Sequence, residues 1–591
     1  MKKNTVFIFL VLIVLLLAMG GSFAYNTLYD GAGAGKKEAD TVIELLNGDE
    51  SYYAAGNITD NSSLYEENGN DVVTMYLTVR KGNRSEGTYH TWREINEHSA
   101  YYYDEKGIDR YKVEGLLQIG DEKGVSPGDF GYGKVASNAT VQIRGQSSSL
   151  NPQKNYKIEL RENQGSWNGQ TTFALNKHMN DGLRYRNKLG FDLLSDMDQL
   201  MSLRTQFVHL YVKDLTEGED AGFVDYGLYT QVEQLNKTAL RAHGLDKTGH
   251  LYKINYFEFF RYEDVIKLET ESGYDRTKFE QYLEIKGATD HSKLIAMLKD
   301  LNDYSISIED VIQKHFDIAN LTYWMAFNIL TGNVDTQSRN SYLYSAQNSD
   351  TWYLYSWDLD GIFLHDENLI RKNQDYADWE SGVSNYWGNV LFKRCLKSDY
   401  FRRQLDYAVG DIKKELTEEK ISGLISGYRQ VIDDYLYSEP DVSYAPLSPE
   451  VYRQVSDNVP SLVDYYYEKY AASIEKPMPF FIGTPTVSEG KIIFNWDESY
   501  DFQKDDVQYE LLLSDDPEFK NVSYKYEGYW NSCETAALEP GMYFLKVTAK
   551  DSSGNEQQAF DYYVTENGTI YSTICFFVNE DGSTSRYTAE E

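Results

Sequence analysis

The stretch Thr331–Phe363 reads TGNVDTQSRNSYLYSAQNSDTWYLYSWDLDGIF. Gly332 suits the exit of a helix. Ser341–Ser345 and Trp352–Trp357 have the composition of two strands joined by the polar turn AQNSD. In an antiparallel hairpin the start of the first strand lies beside the end of the second, and neighbouring strands sit about 4.8 Å apart. Asn340 and Asp358 are therefore expected as neighbours, with Asp335 in the adjoining loop and Asp360 two residues on. Carboxylates this close repel, and one is protonated unless a cation intervenes. A divalent ion with oxygen ligands, Mg²⁺ or Mn²⁺, suits the donor set. The bland alternatives are a loop brace for Asp335 and a solvated turn or a structural Ca²⁺ loop for Asp358 and Asp360.

The spacing Asp335-x-x-x-x-Asn340 matches the D-x-x-x-x-N of a protein-kinase catalytic loop, in which the Asp takes the substrate hydroxyl proton and the Asn holds metal. A helix before it, a hairpin after it and an Asp behind the hairpin repeat the kinase order. Upstream, Arg144-Gly145-Gln146-Ser147-Ser148-Ser149 connects two strands with small residues, which let backbone N–H groups approach phosphate. Lys154 or Lys157 on the following strand stands where a phosphate-pairing lysine belongs. A Ser-rich hairpin can equally be only a turn, and Arg144 can equally hold a local carboxylate.

The elements that would position these residues fall into three regions. A β-rich half holds Val72–Val79, Val113–Ile119, Ala139–Arg144, Lys154–Leu160, Gln206–Val212 and Tyr226–Glu233, with a helix from Gly182 to about Ser195 and Asp181 as its candidate cap. The helix residues Arg184, Arg186 and Lys188 are expected on a solvated face, with an interlobe ion pair as the other possibility for one of them. An α-rich half runs to about Lys469. Within it Ile318–Leu330 places Ile318, Leu321, Met325 and Ile329 on one face. The order predicts a two-lobed α+β domain with a cleft between the lobes. Beyond Pro477, Pro479 and Pro485, short strands at Lys491–Trp496, Val507–Ser514, Gly541–Lys550 and Phe560–Val564 alternate with turn signals, which predicts an all-β sandwich.

Taken in order, VQIRGQSSSLNPQKNYKIEL, NDGLRYRNKLGFDLL, YGLYTQVEQL, GHLYKIN, NILTGNVDTQSRNSYLY and YSWDLDGIF resemble the CotH kinase family, the spore-coat-protein-H-like atypical kinases. The resemblance spans roughly residues 70–470. It implies an atypical protein-kinase fold that moves the ATP γ-phosphate to Ser or Thr of exported or cell-surface proteins. Asp335 would be the catalytic aspartate, and Asn340 and Asp358 the metal ligands, with Asp360 a further ligand or a group behind them. Lys154 would contact phosphates, with Arg144, Ser147 and Ser148 nearby. Glu233 would contact nucleotide or pair with a lysine. Gln153 stands where the family often has a second lysine, and the acidic insertion Asp214–Asp225 is unusual. Phe494–Asp497 and Tyr509–Leu511 in the tail resemble fibronectin type III modules.

Composition narrows the alternatives. Among 591 residues the net charge is −35, so a nucleic-acid backbone would be repelled. The three cysteines, Cys395, Cys533 and Cys575, have no zinc spacing; Cys533 and Cys575 share the last module and leave pairing open. Met1-Lys2-Lys3 precedes an uncharged run, Val6–Met19, and Ser22-Phe23-Ala24 resembles a cleavage site. Residues 1–24 thus read as a signal peptide or an uncleaved membrane anchor, which makes an extracytoplasmic protein of the chain. Residues 25–70 read as a polar stalk, 71–475 as the kinase-like domain, 480–580 as the sandwich and 581–591 as a tail. Two other functions stay open: a glycoside hydrolase built on paired carboxylates, and a non-catalytic surface scaffold with a kinase-like domain.

Overall fold

Alternating β-branched and small residues make the strands of the first half, and a computed structural model shows how they close. It describes residues 60–66, 69–374, 376–566 and 568–587. The leader expected over residues 1–24 and most of the expected stalk lie outside the described residues. No helix among those described is long and apolar enough to cross a membrane.

Seven strands, β1 (Val72–Arg80), β2 (Val113–Gly120), β3 (Ala139–Arg144), β4 (Asn155–Leu160), β5 (Thr172–Asn176), β6 (Thr205–Asp214) and β7 (Val224–Glu233), form a closed barrel in the order β1-β2-β3-β4-β5-β7-β6. Closure is made by the one parallel pairing, β1 with β6. Alternate residues fill the interior. Met75, Leu77, Val79, Val141, Ile143, Tyr156, Ile158, Phe173 and Leu210 make one core. The closed ring leaves no open edge on this lobe.

The helix of the first half covers Arg186–Leu194 and starts four residues later than expected from Gly182. Asp181 does not cap it as a first residue. Its carboxylate accepts from the backbone N–H of Leu183 and of Arg186, and it grips the Arg186 guanidinium, so residues 181–185 make a turn rather than helix. The expected solvated face is also corrected. Arg184, Arg186 and Lys188 are all buried. Each charge is answered inside: Arg184 by the carbonyls of Lys177 and Tyr444, Arg186 by Asp181 and Glu367, Lys188 by Asp192. Glu367 belongs to the second lobe, so the interlobe ion pair exists and Arg186 makes it.

The second lobe is mostly helical around a four-stranded sheet, β11-β10-β8-β9, with β8 His250–Ile254, β9 Leu283–Ile285, β10 Ser341–Ser345 and β11 Tyr353–Ser356. The helix Ile318–Leu330 has the predicted bounds, and Asp317 caps it by accepting from Asn320 N–H. It is buried on all sides from Asn320 to Leu330, not on one face. A central helix reads this way because other elements cover each of its faces.

The last module is all-β. Thr486–Ser488, Lys491–Asn495 and Ser532–Ala536 form one antiparallel sheet. Val522–Gly528, Gln508–Ser514, Gly541–Lys550, Thr573–Val578 and Thr584–Arg586 form the other, with Glu556–Gln558 on its margin. Phe494, Trp496, Leu511, Val547 and Phe576 pack between them. This is a fibronectin type III-like sandwich. Its cysteines are not joined: Cys533 and Cys575 are both free, as is Cys395.

Candidate active site

The hairpin geometry comes first, because it fixes the two groups that matter most. Register pairs Ser341 with Ser356, and one step beyond it the N–H of Trp357 donates to the carbonyl of Asn340 at 3.0 Å. Asn340 and Asp358 both leave the ladder in the left-handed region, at φ of 53° and 58°. Backbone strain of this kind at a non-glycine residue persists only where surrounding structure enforces it. The hairpin itself is tied to the central helix: Asn320 accepts from Leu354 N–H at 2.7 Å and donates to Leu354 O at 3.1 Å.

The loop between helix and hairpin carries Asp335. Gly332 turns the chain at φ 63°, and a Cβ there would lie 2.0 Å from the Tyr466 ring, so no other residue fits. Asn385 donates to Val334 O at 3.1 Å and Asn389 to Gln337 O at 2.7 Å, bracing the loop on both sides of Asp335. The Asp335 carboxylate is itself partly exposed. One oxygen accepts from Asn340 Nδ2 at 3.1 Å, and the other takes the Arg339 guanidinium, which also lies over the Tyr256 ring. Asp335 and Asn340 are thus in direct contact, as their spacing requires.

Asp358 sits at the mouth between barrel and helical lobe. Burial, and then the neighbouring Asp360 charge, push its carboxyl up to about 6, against the opposing pull of Arg144, His178 and Lys253. No described side chain hydrogen-bonds to that carboxylate. Arg144, at the end of β3, is brought here from the barrel: Asp358 is the strongest charge acting on it, and its guanidinium lies 5.5 Å from the Trp357 ring centroid. Burial lowers the Arg144 pKa in spite of that charge. Lys253, in the middle of β8, is lowered by burial; Glu284, its partner on β9, is the strongest charge opposing that, and Asp358 acts on it more weakly. Neither cation has an ion-pair partner within 4 Å among the described residues. The register Glu284–Lys253–Tyr342–Tyr355 across the sheet explains the placement of Lys253, since paired residues share a face.

The turn after Asp358 is held by the barrel lobe. Leu359 N–H donates to Asn187 Oδ1 at 3.0 Å, Asn187 Nδ2 meets His178 Nε2 at 3.2 Å, and His178 Nδ1 lies 3.5 Å from Asp360. Gly190 lets the helix approach: a Cβ there would stand 2.7 Å from Leu359 Cβ.

The other residues singled out from sequence make their hydrogen bonds and ion pairs elsewhere. Lys154 donates from Nζ to Ser149 O at 2.6 Å and lines a separate cavity with Trp92, Tyr156 and Tyr226. Its rival Lys157 pairs with Glu159 at 2.8 Å on the outer surface. Ser147 is exposed, and Ser148 accepts from Asn155 Nδ2 at 3.1 Å. Glu233 pairs, though not with a lysine. Burial opposes its charge, but His243 and Arg204 outweigh that and hold it down to about 2. His243 reaches on to Asp60 at 2.6 Å, so residues at the end of the expected stalk are tied into the barrel. Lys253, His178, Asn187 and Arg339 were missed as site residues. Lys253 lies inside GHLYKIN, but only the cross-sheet register marks it, and a lone sequence carries no register.

The model of the family described as CotH kinase protein matches residues 141–472, more than half of the chain. The chain belongs to the CotH kinase family. The match takes in Arg144, Lys253, Asp335, Asn340 and Asp358, the residues that converge here. No curated protein matches the chain. A kinase family implies the use of ATP as the nucleotide. No group of three or more His, Cys, Asp or Glu that could hold a metal occurs among the described residues. A site here would instead draw on Asn340 beside two carboxylates. The donor chemistry fits a hard divalent ion: oxygen atoms only, among them a carboxyl raised by desolvation and by the neighbouring Asp360 charge.

Proposed function

We propose that this protein is an extracytoplasmic, metal-dependent kinase that transfers the ATP γ-phosphate to Ser or Thr of exported or cell-surface proteins. One observation carries the reading. Arg144 and Lys253, two half-buried cations without an ion-pair partner within 4 Å among the described residues, act on Asp358, a carboxyl raised by desolvation and by the Asp360 charge. Cations beside paired carboxylates, Asp358 and Asp360, supply the two kinds of group that a metal–polyphosphate site needs.

Asp358 and Asn340, with Asp360 at hand, would hold Mg²⁺ or Mn²⁺. The bound ion would neutralise charge on the β- and γ-phosphates. Arg144 and Lys253 bind the phosphate oxygens and orient the chain of phosphates along the cleft. Asp335, fixed by Asn340 and Arg339, receives the acceptor hydroxyl and takes its proton on a carboxylate oxygen as the oxygen bonds to the γ-phosphorus and the bridging bond to ADP breaks. Positioning and charge neutralisation carry most of such a reaction, because its transition state is loose. The basic, uncharged-core leader supports export, and the acidic surface suits a partner other than nucleic acid.

Thermal unfolding tests the site. A ligand that binds only the folded state at 100 times its Kd stabilises by about 2.7 kcal/mol. ATP and Mg²⁺ together should raise the melting temperature more than the sum of either alone. Equal melting with and without both at millimolar concentration would refute the nucleotide site.

A further inference from the structure

Lys154 immediately precedes β4 and Tyr156 lies two residues on, so the two-residue period of a strand turns both side chains to one face. Both line a cavity of about 400 Å³. Its other walls come from the helix Trp92–Glu97, from Tyr226 and Tyr229 on β7, and from Pro440 and Tyr444 of the second lobe. None of Arg144, Lys253, Asp335, Asn340 and Asp358 is among its lining residues, so the cavity is distinct from the Asp335–Asp358 cleft.

The charges of this cavity do not balance locally. Lys154 is only 8% exposed. Its ammonium donates to Ser149 O at 2.6 Å and has no carboxylate within 4 Å among the described residues. An ammonium carries three N–H donors, and the protein engages one. Burial lowers the Lys154 pKa, and no neighbouring charge opposes the shift. Beside it, Gln153 donates from Nε2 to Asp441 Oδ1 at 2.9 Å, while its Oε1 is buried and accepts nothing. The other charged groups of the wall are already engaged. Asp214 accepts from Thr216 N–H at 2.8 Å, Asp225 from Gly227 N–H at 2.7 Å, and Arg93 pairs with Glu217 at 3.1 Å. The rings have their polar edges satisfied too. Trp92 Nε1 donates to Tyr226 Oη at 2.8 Å and Tyr156 Oη to Asn96 Oδ1 at 2.6 Å, with Trp92 stacked on Tyr156 at 4.9 Å. What these rings have left to offer is apolar surface.

We infer that this cavity binds a small organic anion with a planar apolar body, its carboxylate or phosphate on Lys154 and its body against the aromatic wall. A buried cation without a counter-charge calls for the anion, because an ion pair there restores what desolvation cost the ammonium. The rings call for the apolar body, and Gln153 Oε1 accepts a hydroxyl or N–H carried on it. The volume lies within the roughly 300–1,000 Å³ of small-molecule sites, which combine apolar walls with a few polar groups in this way. The inference does not depend on the kinase reading of the Asp335–Asp358 site.

Titration calorimetry on the full protein tests it, with para-hydroxybenzoate and phenyl phosphate as probes. Inorganic phosphate lacks the body and phenol lacks the charge. At least one aromatic anion should bind roughly tenfold or more tighter than either control, and which one binds separates carboxylate from phosphate. Lys154→Met keeps the apolar stem, removes the charge and should lose that advantage. Tyr444→Ala removes a wall ring that is 39% exposed and holds little of the core, so it should weaken the aromatic anion in a folded protein. Saturating ATP with Mg²⁺ should leave the titration unchanged, and Lys154→Met should keep the wild-type melting shift with ATP and Mg²⁺. Absence of binding by both aromatic anions at millimolar concentration overturns the inference. So does phenol binding as tightly as the anions, affinity retained in Lys154→Met or in Tyr444→Ala, or displacement of the probe by ATP with Mg²⁺, which would make the cavity part of the nucleotide site.

Discussion

Asp358→Asn should stabilise the protein when no metal is present while destroying what the site is for. The Asp358 carboxyl is raised to about 6 by burial and by Asp360, from an ordinary value near 3.8. A carboxyl with a raised native pKa is favoured in its protonated form by the folded state. Its penalty is absent below about pH 4, grows as pH rises towards 6, and is constant above that. Two units correspond to about 2.7 kcal/mol, which water in the open cleft reduces to about 2 kcal/mol. Taken as one unfolding unit, the 533 residues Thr59–Glu591 would have an unfolding entropy of about 1.1 kcal/mol/K. Removing the charge at pH 8 should therefore raise the melting temperature by about 2 °C. Differential scanning calorimetry with EDTA, at pH 4.5 and pH 8, reads the effect. The variant should gain at pH 8, gain little at pH 4.5, and show no response to ATP with Mg²⁺. A variant less stable than the wild type at pH 8 would refute the reasoning, because Asp358 would then be a net stabilising group with a partner of its own.

Three further outcomes follow from the same geometry. Arg144→Ala and Lys253→Ala should each weaken ATP binding by roughly 10- to 150-fold in calorimetric titration, the worth of a lost charge-assisted hydrogen bond, while Lys154→Ala should leave the affinity within about threefold. Gly190→Ala should press Leu359 out of place at a cost of about 1–3 kcal/mol, seen as a lower denaturation midpoint and a larger fall in ATP turnover than in folded fraction. His243 is opposed by burial, but its hydrogen bonds to Asp60 and Glu233 prevail and raise it to about 9. Its contribution is complete below about pH 6.5 and lost as pH climbs through 9, so urea midpoints should fall across that window in the wild type and less steeply in His243→Asn.

What the sequence disclosed, and what it withheld, follow a physical line. Local patterns were legible. The helix Ile318–Leu330, the strands Ala139–Arg144 and Ser341–Ser345, and the contact of Asp335 with Asn340 depend on neighbours in the chain, and periodicity plus spacing reach that far. The order of lobes and the terminal sandwich were legible for the same reason. Features set by distant partners were not. Arg184, Arg186 and Lys188 read as a solvated face because charge in a short helix is usually exposed, yet buried Asp181, Glu367 and Asp192 answer Arg186 and Lys188. Nothing local marks Lys253 in the sequence; register places it between Tyr342 and Glu284 in the sheet. Lys154 stood at the position a phosphate lysine would take, but its ammonium turns to Ser149 O.

The central claim, phosphoryl transfer at the Asp335–Asp358 cleft, is tested most directly by single-turnover release or transfer of the γ-phosphate of labelled ATP. The comparison is wild type, Asp335→Asn and Asp358→Asn, with Mg²⁺ and with EDTA. The account predicts metal-dependent turnover in the wild type. It predicts an Asp335→Asn protein that still binds ATP with Mg²⁺ but turns over at least a hundredfold more slowly, within the range expected for losing a positioned base. Asp358→Asn should neither bind nor turn over. Turnover that survives in Asp335→Asn and Asp358→Asn, or that persists undiminished in EDTA, would contradict it.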